Sequence, residues 1–231
     1  MTPPRPRRTD DRARGPVTPA RADLAHAIRE LSHRMVAADA DDAAIVAATT
    51  LVEQAQAALD EFPLRRRPLL SEADQARMSD AGSELTLHAM SDRAVGGVSN
   101  PMAVDFEMTW GDGAVITEVE FGPAFEGAPG RLHGGVLAGV FDDVLGAAMA
   151  QEREPGFTGR LTVHYLAPVP VERPITIRTW VGERQGRKLF VHGEATHDGT
   201  VVARADALFI LVDAARFRTH VLDLVEGDGA S

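Results

Sequence analysis

One long apolar helix, bracketed by segments patterned as strands, limits what this chain can fold into. Residues 130–146, GRLHGGVLAGVFDDVLG, open it. Val136, Leu137, Val140, Phe141, Val144, Leu145 and Ala148 recur on one broad face, which predicts a helix over about residues 133–151. Ahead of it, Val104, Phe106, Met108 and Trp110 alternate with Asp105, Glu107 and Thr109, the period of a strand with one buried face. Gly111-Asp112-Gly113 turns the chain, and 114–121 reads as a second strand. Behind the helix come four strand patterns, 158–167, 172–183, 187–196 and 200–212. Gln185-Gly186 and Asp198-Gly199 supply hairpin turns between the last three. Two strands, a helix and four strands predict an α+β domain, an antiparallel sheet of about six strands wrapped around the helix.

The residues before this domain follow another pattern. Residues 1–17 hold four prolines and five arginines with no apolar period, which predicts a disordered tail. Thr18 as N-cap and Pro19 in the first turn open a helix carrying Leu24, Ile28, Leu31 and Met35. Asp41 caps a second, with Ile45, Ala48, Leu51, Val52, Ala55 and Leu59 on one face. Together they predict an N-terminal helical hairpin whose apolar stripes pack on the domain or on a partner subunit. EFPLRRRPLL, 61–70, reads as a linker, and Ser71-Glu72-Ala73-Asp74 as a capping box. The expected organisation is a tail over 1–17, a helical segment over 18–80, the α+β domain over 81–217 and a C-terminal tail over 218–231.

The formal net charge of -10 argues against a nucleic-acid partner. No apolar run reaches the roughly 18 residues of a membrane helix. The first residues lack the apolar core of a secretory signal. With no cysteine in the chain, a reducing cytoplasm is the expected setting. His, Asp and Glu show no metal-ligand spacing, and neither a Gly-x-Ser-x-Gly elbow nor a Gly-rich phosphate loop is present. No metal and no cofactor are expected.

The helix itself poses a problem. Each glycine inside it costs roughly 1 kcal/mol relative to alanine, yet Gly135, Gly139, Asp142 and Gly146 form one stripe, at spacings of 4, 3 and 4. The glycines remove bulk around Asp142, so that a backbone or a ligand can come close. Asp143, one residue round, reads as a structural or surface charge. At the helix start, His133-Gly134-Gly135 lies where backbone N–H groups lack intrahelical partners and favour developing negative charge. Gly135 and Asp142 lie about 10 Å apart along the axis at 1.5 Å per residue. One reacting centre therefore reaches both only if two helices run antiparallel about a two-fold axis, which demands at least a dimer.

The strand order and the run FEGAPGRLHGGVLAGVFDDVLG resemble the hotdog-fold acyl-CoA thioesterases, closest to the phenylacetate-pathway and mammalian thioesterase-superfamily subgroups. The likeness covers about residues 95–213 and includes His-Gly-Gly, an acid nine residues after that histidine, TGRLTVHYLAPVP and GRKLFV. It implies hydrolysis of acyl-CoA to a free acid and CoA, with CoA entering as part of the substrate, by a homodimer or a dimer of dimers. Asp142 matches the catalytic acid, as general base or nucleophile. Gly135 matches the residue whose N–H polarises the thioester carbonyl. His133 matches the motif histidine that shapes the helix entrance, Gly134 beside it is expected to contact the substrate, and Thr158 matches the hydroxyl that positions the acid or the water. Arg187 and Lys188 match a basic pair near the CoA phosphates. Two alternatives stay open, a non-catalytic acyl-CoA binder and a hotdog enoyl-CoA hydratase. The hydratase usually carries an Asp/His pair on a different motif, which is not found here.

Overall fold

The computed structural model describes residues 18–63, 91–152 and 154–213. The two expected tails, most of the linker and the capping box at 71–74 lie outside the described residues. Two N-terminal helices come first, α1 (Pro19–Ala37) and α2 (Asp42–Asp60). The domain follows as β1 (Phe106–Gly111), β2 (Ala114–Glu120), α3 (Gly134–Met149), β3 (Gly156–Tyr165), β4 (Pro174–Gln185), β5 (Lys188–His197) and β6 (Thr200–Leu211). All six strands join one antiparallel sheet in the order β1-β2-β4-β5-β6-β3. Two hairpin turns are set by residues at positive φ in both loop positions, Asp112 with Gly113 and Asp198 with Gly199. That geometry matches the twist of the paired strands.

The sheet closes on α3, which packs against β2, β3, β4, β5 and β6. Leu137, Val140, Phe141, Val144, Leu145 and Ala148 have no solvent exposure, and they meet Val115, Ile175, Ile177, Leu189, Val191 and Ala195, equally enclosed. One polar group sits in this core satisfied, the Thr179 hydroxyl, which donates to the Val144 carbonyl at 3.1 Å. The apolar face read from the sequence is the buried face.

Two expectations shift. Val104 lies outside β1; its N–H donates to the Val95 carbonyl, so it belongs to a strap over residues 91–104. Trp110 closes the β1 alternation at 41% exposed rather than buried.

The apolar stripe of α1 is not the face that meets the domain within the chain. Leu24, Ile28, Leu31 and Met35 stay exposed, while Ala25 and Arg29 are buried. Arg29 forms an ion pair with Asp105 at 2.7 Å and donates to the Asn100 carbonyl at 2.9 Å, which fixes α1 to the strap. The physical reason is that a guanidinium satisfied by a carboxylate and two carbonyls can be buried, and small Ala25 lets the helix approach. α2 belongs to a separate compact unit and is described by itself. Asp41 caps it by accepting from the Ala44 N–H at 2.8 Å, and none of its residues is buried.

Candidate active site

Asp142 stands exposed in the middle of a buried helix. Its Oδ1 accepts the hydroxyl of Thr158 at 2.9 Å. The sequence folds this way because β3 bulges there. Thr158 pairs with Phe209 and Arg160 with Leu208, which leaves Gly159 as the extra residue. A bulge bends its strand and re-aims the neighbouring side chain. A Cβ at Gly159 would lie 3.1 Å from Ile210 and 3.3 Å from the Leu208 carbonyl, so glycine suits the crowded position.

The neighbouring carboxylate has a different task. Asp143 is 7% exposed and forms an ion pair with Arg93 of the strap at 2.8 Å. Burial pushes its carboxyl above the usual carboxylate range; the Arg93 guanidinium and the Gly96 backbone pull it back, and Asp142 adds a smaller upward push. Its Oδ2 is buried without a well-formed hydrogen bond among the described residues. The Gly96 backbone comes so close that a Cβ there would lie 2.7 Å from that oxygen. Of the two readings of Asp143, structural and surface, the structural one holds.

The strap also accounts for one of the glycines in the helical stripe. A Cβ at Gly139 would lie a tight 3.3 Å from Val95, whereas one at Gly146 would meet only the Arg93 guanidinium at an ordinary 3.9 Å. The bulk removed from α3 at Gly139 is thus matched by the strap, with Asp142 left open beside it. Sequence reading missed Arg93 because the residues between it and α3 carry no period that links them.

At the other end of α3, His133 is the N-cap. Its Nδ1 accepts the Gly135 N–H at 3.0 Å. An amide can only donate, so a neutral His133 ring carries its proton on Nε2. The Gly135 N–H is therefore engaged within its own chain. Tyr165 donates its hydroxyl to the Gly134 carbonyl at 2.6 Å. A cleft of about 590 Å³ opens here, lined by Arg131, His133, Gly134, Leu137, Tyr165 and Val169 among others. Asp142 and Thr158 do not line it. Within one chain, then, the structure brings His133, Gly134 and Gly135 together at one place, and Asp142 and Thr158 at another.

Arg187 and Lys188 lie at the β4–β5 turn. Lys188 pairs with Ile210, which pairs in turn with Phe157. The two residues thus share the sheet end that holds Thr158, not the cleft. Arg187 donates its Nε to the Leu211 carbonyl at 3.0 Å, while the Lys188 ammonium has no partner among the described residues. No group of three or more His, Asp or Glu side chains converges as a metal site among the described residues. No described helix is long and apolar enough to cross a membrane.

A six-stranded antiparallel sheet wrapped on one central helix, with the helix entrance and an inserted carboxylate both open, defines the hotdog architecture. Residues 129–203 match the family described as the Thioesterase superfamily. Acyl-coenzyme A thioesterase THEM4 of Bos taurus is 31% identical over 100 residues, 42% of this chain and 41% of that protein. The Xenopus laevis protein of the same name is 36% identical over 91 residues, 38% of this chain and 41% of its own. The chain thus spans about two fifths of the length of the curated relatives it matches. A crystal structure described as a thioesterase superfamily protein matches with a TM-score of 0.70 at 25% identity, over 85% of this chain and 97% of that one. The resemblance drawn from the sequence holds, and residues 129–203 carry the match to the thioesterase superfamily.

Proposed function

We propose that the protein hydrolyses acyl-CoA thioesters as a dimer, with each site composed from two chains. The observation that carries this reading is the Asp142–Thr158 pair, an oriented carboxylate left open on a helix whose apolar face is sealed in the core. The THEM4 relatives, named as acyl-coenzyme A thioesterases, support the substrate class. Asp142 takes a proton from water, the water oxygen attacks the thioester carbonyl, and the carbonyl oxygen becomes an oxyanion. Collapse expels the CoA thiolate, which takes up the proton and leaves the free acid. In the covalent variant Asp142 attacks first and expels the CoA thiolate, giving a mixed anhydride that water then opens to the free acid and the Asp142 carboxylate. The reaction so written consumes only acyl-CoA and water and needs no cofactor.

The oxyanion needs donors, and the partner chain's helix entrance supplies them in this reading. His133 offers its Nε2–H, and the Gly135 N–H becomes available when the imidazole moves off it. The sheet gives a physical reason for a dimer. Edge strand β3 spans ten residues and is mostly exposed, and an edge strand of this length invites pairing with a second copy. Lys188, at the Thr158 end of the sheet, and Arg131, at the cleft, are the candidate contacts for the CoA phosphates.

One observation favours a second reading. If the His133 cap on Gly135 persists with ligand bound, the principal oxyanion donor is lost, and the protein would bind acyl-CoA without turning it over. The deciding experiment is thiol release from short, medium, long and aromatic acyl-CoAs, by wild type beside Asp142→Asn. Turnover in wild type and its loss in a folded Asp142→Asn protein support the hydrolase. Binding without thiol release in wild type supports the binder and overturns the hydrolase.

A further inference from the structure

We infer that helix α1 positions the loop that carries His133, with His33 as the positioning residue. This inference rests on the proposed reaction only for its effect on turnover; the coupling itself is independent of it. α1 reaches the domain through Arg29 and, one turn later, through His33, both on the face opposite its apolar stripe. Arg29, 5% exposed, is spent on Asp105 and on the Val98 and Asn100 carbonyls. It holds the helix in place and leaves His33 to act on a different segment.

That segment is the entry to the cleft. Gly122 leads into a 3-10 turn, Pro123–Phe125. His33 stacks edge-on against Phe125 at 5.1 Å between ring centres, and its Nδ1 accepts the Ala124 N–H at 3.1 Å. The turn has no side-chain cap of its own, so His33 supplies the cap from another element. The fit is close, because a Cβ on Gly122 would come within 2.6 Å of the imidazole. From the turn the chain of contacts continues to the site. The Phe125 carbonyl accepts the His133 N–H at 2.9 Å, Glu126 bridges Leu132, and the Gly127 N–H donates to the Arg131 carbonyl at 2.8 Å. His133 then caps Gly135. Three successive contacts, His33 with Ala124, Phe125 with His133 and His133 with Gly135, therefore run from α1 to the N–H proposed to face the oxyanion.

The test uses the full chain with His33→Ala, His33→Asn and Arg29→Met. Asparagine places a carbonyl oxygen near the position of Nδ1, so it keeps the acceptor for Ala124 while losing the ring. Hydrogen exchange of residues 122–135 should rise roughly five-fold in His33→Ala, as expected for losing a hydrogen bond of about 1 kcal/mol, and return toward wild type in His33→Asn. Arg29→Met should raise exchange in residues 91–105 as well. In thiol release from acyl-CoA, kcat should follow the exchange at residues 122–135 while KM changes little. Unchanged exchange in His33→Ala, a rise spread evenly over the chain, or no recovery in His33→Asn overturns the inference. If exchange behaves as expected but wild type hydrolyses no acyl-CoA, the coupling stands and the functional reading falls.

Discussion

Thr158 on edge strand β3 donates its hydroxyl to Asp142 Oδ1 across 2.9 Å, so the bulge at Gly159 fixes the direction of the carboxylate proposed to activate water. A neutral hydroxyl bonded to a charged group contributes about 1.5–3 kcal/mol. Thr158→Ala should therefore lower kcat by roughly 10- to 100-fold, with the fold and its melting transition little changed. Thr158→Ser keeps the hydroxyl and should keep most of the activity. Steady-state thiol release, with circular dichroism on the same samples, checks both. Equal rates in wild type and Thr158→Ala would remove Thr158 from the site.

Asp143 is held by Arg93, and removing the guanidinium strands a buried carboxylate. Arg93→Met should cost about 1–3 kcal/mol, and adding Asp143→Asn should recover much of it. The pH dependence has a defined sign. Burial raises the folded-state pKa above the ordinary value, so the folded protein binds the proton more tightly than the unfolded chain does. The contribution of Asp143 to stability is therefore greatest below the ordinary Asp range and declines as pH rises through the window up to the raised value. Without Arg93 that pKa climbs further and the decline extends to higher pH. Denaturant unfolding of wild type, Arg93→Met and the double variant across the acid range measures it.

Glycines in and beside α3 should respond with opposite signs. Gly146→Ala meets nothing nearer than the Arg93 guanidinium at 3.9 Å, and the gain in helix propensity should stabilise the chain by about 0.5–1 kcal/mol. Gly96→Ala would drive a Cβ to 2.7 Å from both Asp143 Oδ2 and Phe106 and should destabilise it. Thermal melts of the two variants decide. A destabilising Gly146→Ala would mean that the stripe meets something beyond this chain, such as a second protomer.

The fold was legible because period alone separates α3 from the strands, and all six strands fall within two residues of their expected bounds except β1, where the chain enters as the strap. The pairing of Asp142 with Thr158 was reachable only through resemblance, since nothing in their spacing of 16 residues brings them together. Arg93, Arg29 and His33 were not legible. Each acts through polar contacts to a segment far along the chain, and such contacts leave no periodic trace. The α1 stripe shows the same limit. Leu24 and Ile28 carry the period, but within the chain it is Arg29 and His33 that meet the domain, through specific polar partners.

The composite site is open to a complementation test. Asp142→Asn removes the base from every chain. Gly135→Pro removes the proposed oxyanion donor, and proline is tolerated in the first turn of a helix because its missing N–H needs no intrahelical partner. Each variant alone should be inactive. When the two are unfolded together and refolded, half of the dimers formed at random are mixed. Each mixed dimer pairs one intact helix entrance with one intact Asp142 across its two-fold axis. Activity should return to about a quarter of wild type, since only one of the two sites in a mixed dimer is whole. Recovery near that level, with a dimer in sedimentation, places the two halves of the site on different chains. No recovery from variants that do form mixed dimers would put the donor and the base on one chain. The 10 Å separation along α3 would then have to be closed by movement of the helix entrance.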